Sequence, residues 1–305
     1  MGTSELNVVT GAFSYTGKYI TERLLSMGEE VRTLTGRPDY ENPFGQQVKT
    51  FSFNFDRPGD LTESLLGAKT LYNTYWVRYP HGPLSFDKAM KNNKILIAAA
   101  EEAGIRRIVH ISITNPSEDS PFPYFRGKAL VEKAITQSRL SYAIIRPTVI
   151  FGPEGILINN IAWLLRKFPI FAIPGSGDYR IQTVFVEDMA GIAVSAGQKD
   201  ENLVIDTVGP EVYTFDELVR LIANKINKRA RIVHIRPVLA LFFARLIGYA
   251  VKDVVITGDE IDGLMSNLLI SQGEPTAPTR FSDWLEKNAD KLGRRYISGL
   301  KRSYR

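Results

Sequence analysis

The chain of 305 residues contains no cysteine. That excludes a disulfide scaffold, a thiolate zinc site and a cysteine nucleophile. It holds only three histidines, His81, His110 and His234, far apart in sequence. An all-histidine metal site is therefore not expected, and no metal is assigned. Acid–base chemistry falls to Tyr, Lys or carboxylates. No uncharged run reaches the ~18 residues of a spanning helix, and Arg245 interrupts the longest, residues 238–251. No signal peptide stands at the start. Leu6 occupies the position where a myristoylation signal beginning Met1-Gly2 needs Ser or Thr. A soluble, cytoplasmic setting is the expectation. The charge is a mild +5, evenly spread, and does not call for nucleic acid.

What is present alternates. Residues 6–10, 30–34, 48–53, 70–77, 107–113 and 142–145 read as strands. Helical spacing separates them over 17–27, 61–66, 86–103 and 124–136. Strands joined through helices pair in parallel by right-handed crossovers. The expected fold is α/β: a doubly wound parallel sheet (Rossmann) over residues 1–152, and a smaller mixed C-terminal substrate region over 153–305. Residues 180–200 are expected to pack back on the sheet. In the second half, helices are expected over 156–168, 188–196 and 215–226, a strand over 180–186 and an amphipathic terminal helix over 281–300. The apolar stretch 238–255 has four readings: a lid, a partner groove, a membrane-surface helix and, favoured among them, a buried helix.

The first strand runs into Gly11-Ala12-Phe13-Ser14-Tyr15-Thr16-Gly17. Gly11 permits a tight bend, Gly17 allows close helix–strand packing, and free amides at the helix start face a pyrophosphate. Ser14 stands where a middle glycine is usual. The second strand ends Leu34-Thr35-Gly36-Arg37, without the acid that grips a ribose 2′-hydroxyl. Arg37 suits a 2′-phosphate and reads equally well as a solvated loop residue, so the missing acid carries more weight than the arginine. The cofactor expected is NADP, with NAD possible.

Tyr124 and Lys128 share a helix face. An ammonium there favours the phenolate and makes tyrosine a usable acid or base. Thirteen tyrosines make the spacing unspecific by itself. Its weight comes from its place, in the helix after the fifth strand. That strand ends Ser112-Ile113-Thr114, with both hydroxyls on one side. His110 reads as a structural residue.

The turn at 11–17, Tyr124/Lys128, Arg146-Pro147-Thr148-Val149 and Val184-Phe185-Val186-Glu187-Asp188 occur in the order of the short-chain dehydrogenase/reductase superfamily. The chain resembles its extended and atypical branch, including NmrA-like regulators, complex I accessory subunits and nucleoside-diphosphate-sugar epimerase-like proteins. The resemblance implies Tyr124 as acid–base, Lys128 on the nicotinamide ribose, Thr114 on a substrate carbonyl and Ser112 near the nicotinamide. It implies Asp56 by the adenine, Asn73 and Thr74 along the ribose, and Pro147 and Val149 beside the nicotinamide. The activity implied is hydride transfer to or from a carbonyl or alcohol carbon of a small-molecule substrate. The alternatives are a sugar-nucleotide epimerase or dehydratase and a non-catalytic redox sensor or assembly factor. The epimerase reading is weakened because Arg180-Ile181-Gln182-Thr183 lacks an acid the sugar-nucleotide enzymes carry. Peripheral membrane contact is disfavoured, and the oligomeric state stays open.

Overall fold

The computed structural model describes residues 4–37 and 41–303. The readings made on Met1, Gly2, Pro38, the Arg302 side chain and Arg305 lie outside the described residues. The chain divides into two compact units, residues 1–146 with 189–205, and residues 147–188 with 206–305.

In the first unit β1 (Leu6–Thr10), α1 (Tyr15–Ser26), β2 (Glu30–Thr35), β3 (Val48–Ser52), α2 (Pro58–Leu65), β4 (Thr70–Asn73), α3 (Phe86–Glu102), β5 (Arg107–Ile111), α4 (Pro123–Thr136) and β6 (Ser141–Pro147) follow one another. They form a doubly wound seven-stranded sheet, ordered β10-β6-β5-β4-β1-β2-β3, with β10 at Leu203–Thr207. Pairings from β3 through β6 are all parallel. Such a sheet is covered on both faces, so its strands read as unbroken apolar runs. Val8, Leu71 and Ile108 are fully buried, and Leu61, Leu65, Leu96 and Ala100 of the helices pack on them. The order reverses between β1 and β4, which opens a crevice at the strands' carboxyl ends.

β4 is shorter than its apolar run. It stops at Asn73 because side chains there take over the ladder. The Thr74 amide donates to Thr10 Oγ1 (2.7 Å), and the Tyr75 amide to Asn73 Oδ1 (3.1 Å).

The second unit contains β7 (Val149–Phe151), α5 (Ile156–Lys167), β8 (Ile170–Pro174), β9 (Arg180–Phe185), β11 (Val212–Thr214), α7 (Phe215–Lys225), β12 (Arg231–Ile235), α8 (Pro237–Val251), α9 (Gly258–Met265), α10 (Phe281–Asn288) and α11 (Gly299–Ser303). Helix α6 (Val186–Gly197) begins in it and runs into the first. Its sheets are β11-β9-β7 and the parallel pair β12-β8. Phe151, Ile161, Leu218, Ile222, Phe281 and Leu285 make its core.

Two expectations fail here. The terminal helix over 281–300 is broken into α10 and α11. Buried Asn159 and Asn160 of α5 bond the intervening backbone at Gly293, Arg295 and Ile297, replacing helical bonds. The stretch 238–255 is not a buried helix. In α8 Val238, Leu239, Phe242, Phe243, Leu246 and Tyr249 are exposed, the last by 89%. Among the described residues no helix is long and apolar enough to cross a membrane.

Candidate dinucleotide and Tyr–Lys site

The turn between β1 and α1 lies at the switch point. Gly11 has φ +65, and a Cβ on Gly17 would stand 2.1 Å from the Gly11 carbonyl oxygen. Only glycine lets α1 start this close to the strand. The Gly11 amide donates to Leu34 O and the Ala12 amide to Thr33 Oγ1, which fixes the bend on β2. Ser14 Oγ donates back to Gly11 O (2.6 Å) and does not cap α1. The first turn of α1 has no side-chain cap and no acidic residue. Its amides and its positive dipole end are arranged for an anion. These residues fit a pyrophosphate cradle.

Thr74 reaches the same turn. Its hydroxyl donates to Thr10 O (2.5 Å) and would lie 3.5 Å from a Cβ on Gly11. Phe13, Tyr15 and Thr16 are half-buried around the bend, Phe13 with its ring 6.5 Å from that of Phe44. Arg37 follows β2, half-buried, its amide bonded to Thr35 Oγ1. Asp56 is exposed and makes no hydrogen bond or ion pair among the described residues. Beside it stands a group that sequence reasoning missed. Phe53 and Phe55 stack at 4.9 Å, and Tyr75 meets both at 4.9 and 5.1 Å. The alternation Phe51-x-Phe53-x-Phe55 was the available signal. The Asn92 amide donates to Tyr75 Oη (2.8 Å), and burial raises the Tyr75 pKa.

Asn73 does not face the crevice. It is fully buried, its amide donating to Asn93 Oδ1 (2.8 Å) and bonded to His110 Nδ1 (3.1 Å). Burial holds His110 well below the usual imidazole range. The neutral ring then accepts from Asn73, a structural role as its sequence context suggested. Asn93 also donates to Ala89 O, completing a network inside the sheet–helix layer. These bonds occupy the Asn73 side chain within the fold, where the resemblance implied a place along the ribose.

Ser112 is likewise turned inward. Its hydroxyl donates to Glu132 of α4, which also receives Arg146 through Nε (3.0 Å) and Nη2. Ser112 is thus held by a buried carboxylate, not by the crevice. Thr114 is fully buried, and its hydroxyl has no partner among the described residues.

Tyr124 and Lys128 lie one turn apart on α4. Tyr124 is half-buried, its ring edge-on to Trp76 (6.0 Å) and Phe86 (5.9 Å). Lys128 is buried, donates from Nζ to Ile111 O (2.7 Å) and stands 4.8 Å from the Trp76 ring centre. Desolvation brings it down from 10.5 to about 7, against the pull of Glu132. Trp76 reaches this position because the residue before Lys128 is glycine. A Cβ on Gly127 would meet the indole at 2.8 Å. Trp76 too was missed from sequence. Pro147 closes β6, and Val149 opens β7, paired with Thr183.

Residues 11–155 match the family model described as NAD(P)H-binding. By sequence the chain is similar to NADH dehydrogenase (ubiquinone) 1 alpha subcomplex subunit 9, mitochondrial, of Arabidopsis thaliana, 26% identical over 282 residues that cover 86% of this chain and 70% of that protein. It is 25% identical over 249 residues to photosystem II assembly factor Ycf39 of Guillardia theta, covering 79% and 77%. Its fold is similar to that of a Citrobacter sp. triphenylmethane reductase crystallised with NADP(H), at a TM-score of 0.76 and 17% identity, covering 93% of this chain and 99% of the other.

Proposed function

We propose that this chain, whose residues 11–155 match an NAD(P)H-binding family model, is an NADP(H)-dependent oxidoreductase of the extended, atypical short-chain dehydrogenase/reductase type acting on a carbonyl or alcohol carbon. The observation that carries the reading is the uncapped start of α1, set against Gly11, Gly17 and Thr74 at the β1/β4 switch point. The first-turn amides hold the pyrophosphate. The aromatic cluster of Phe53, Phe55 and Tyr75 offers ring surface for the adenine, and Arg37 meets the 2′-phosphate. Bound there, NADP(H) supplies or takes the hydride.

Tyr124 gives or takes the proton at the substrate oxygen. Lys128 lies one turn below it and holds its own proton loosely. The Thr114 hydroxyl holds the substrate oxygen. Positioned acid–base groups contribute about 10²–10⁴-fold. Tyr124→Phe should therefore lower turnover by that range in NADPH oxidation against a panel of aldehydes, ketones and quinones, with NADPH affinity unchanged. Turnover equal to that of the parent protein removes Tyr124 from the mechanism. The lack of an acid from Leu34 to Arg37 supports tighter NADPH than NADH binding. Arg37→Gln should weaken NADPH by at least about tenfold and leave NADH unaffected, since one charge-assisted contact is worth roughly 1.5–3 kcal/mol. A fluorescence titration with both nucleotides decides it.

A second reading is a dinucleotide-binding subunit or assembly factor. It is favoured by the inward turn of Ser112 and Asn73 and by relatives named as a complex I subunit and a photosystem II assembly factor. NADPH binding with no hydride transfer to any member of the panel is its signature.

A further inference from the structure

Helix α8 reverses the usual arrangement of a surface helix. At 100° per residue, Val238, Leu239, Phe242, Phe243, Leu246 and Tyr249 share a stripe roughly 140° wide, and all six are exposed, Val238 by 76% and Phe242 by 55%. Arg245 falls on the edge of that stripe. The helix is not a loosely attached segment. It packs on β8 and α9. At its end Lys252 adopts φ +54, and buried Asp253 accepts from Tyr296 Oη (2.9 Å) and from the amides of Gly299 and Leu300 (2.8 and 2.9 Å). A firmly seated helix thus presents two phenylalanines, leucines and a tyrosine outward.

The helix and the segment leading into it carry charge of one sign, while Asp259 and Asp262 lie beyond it on α9. No acidic residue occurs between Glu217 and Asp253. Lys228, Arg229, Arg231, Arg236, Arg245 and Lys252 flank or lie in the helix, all exposed, and none forms an ion pair among the described residues. Self-association along α8 would bring Arg245 and the flanking cations against their own copies, which costs affinity. At 15 residues and about 22 Å the helix is too short to span a bilayer. An outward apolar stripe rimmed by Arg and Lys suits a helix lying in the plane of an anionic lipid surface. There the rings enter the headgroup boundary and the cations meet phosphates.

We propose that α8 docks the protein on anionic membranes. The apolar stripe supplies the insertion, and the acid-free run from Lys228 to Lys252 selects the lipid charge. The proposal does not depend on the redox chemistry assigned above. It is tested by flotation of the full chain with vesicles of phosphatidylcholine alone and of phosphatidylcholine with one-third phosphatidylglycerol. Binding is expected only to the second, and high salt should weaken it. Phe242→Asp with Phe243→Asp should abolish it. Arg231→Gln and Arg236→Gln should each weaken it roughly fivefold. All these side chains are exposed, and retained NADPH binding shows that each variant is folded. A Phe242→Trp reporter should shift to the blue and be quenched by lipids brominated near the headgroup. Failure of the parent chain to float with phosphatidylglycerol vesicles overturns the proposal. So does a dimer in light scattering that Phe242→Asp dissociates while lipid binding is absent, and so does equal binding to both vesicles.

Discussion

Lys128 carries an electrostatic cost set by its burial. It is buried, with one carbonyl acceptor at Ile111 and the Trp76 face as its surroundings. Its pKa falls from 10.5 to about 7 on folding. Between those values the unfolded chain binds the proton and the native chain does not. Stability from this group therefore rises with pH across that window, and the full penalty applies below about 7. Lys128→Met removes the penalty and keeps much of the volume. It should stabilise the protein by about 1–4 kcal/mol at neutral pH and flatten the pH dependence between 7 and 10.5, while reducing turnover. Urea denaturation at several pH values reads both effects. A destabilised variant with an unchanged pH slope would show that Lys128 is not buried as a costly cation. The residue types at this site were legible from the Tyr-x-x-x-Lys spacing. Its surroundings were not, because Trp76 comes from a loop whose course depends on side-chain bonds at Thr10 and Asn73.

At the scale of elements, the alternation of strands and helices was readable because a buried parallel sheet imposes apolar runs and its crossovers impose helical spacing. Ends were less readable where side chains replaced backbone partners, as at Asn73 and along residues 289–298. Sequence reasoning offered exposed readings of α8 but favoured a buried helix, since an apolar run reads alike whether it faces a core or a partner. One join is made by two adjacent arginines. Arg107, fully buried on β5, donates from Nε to Ala196 O (2.8 Å) and from Nη2 to Glu201 O (2.9 Å), and also bonds Ser141 Oγ. Arg106 donates to Gly197 O (3.1 Å) and pairs with Asp200 from a partly exposed position. These guanidiniums close the carboxyl end of α6, where the dipole favours cations. Desolvation lowers the Arg107 pKa, yet arginine remains charged. Arg107→Met leaves several buried carbonyls without donors and should cost about 3 kcal/mol. Arg106→Met should cost about 1 kcal/mol or less, because its pair is exposed. Equal losses in chemical denaturation would contradict the contrast in burial.

Across the whole molecule, the chain passes between its two units three times, after Arg146, Asp188 and Ile205. Sequence alone suggested a boundary at 152/153, with residues 180–200 packing back on the sheet, and a cut at that boundary tests what the later residues add. That cut would remove residues 189–205 from the first unit. The loss has a definite chemistry. The last strand of the sheet, β10, disappears and leaves β6 as an unpaired edge. Tyr72, whose hydroxyl lies against Gly197, loses its cover. Arg107 keeps its buried charge but loses the carbonyls of Ala196, Asp200 and Glu201. An uncompensated buried charge costs about 3–5 kcal/mol, comparable with the 5–15 kcal/mol that holds a domain folded. A fragment of residues 1–152 should therefore lack a cooperative melting transition and fail to enhance NADPH fluorescence. The same residues fused through a short glycine–serine linker to 186–207 should recover both. Full-length NADPH affinity in the bare 1–152 fragment would mean that α6 and β10 are dispensable to the sheet. Rescue by the linked segment would instead identify the carbonyl partners of Arg107 and the covering of β6 as what the nucleotide-binding unit draws from beyond residue 152.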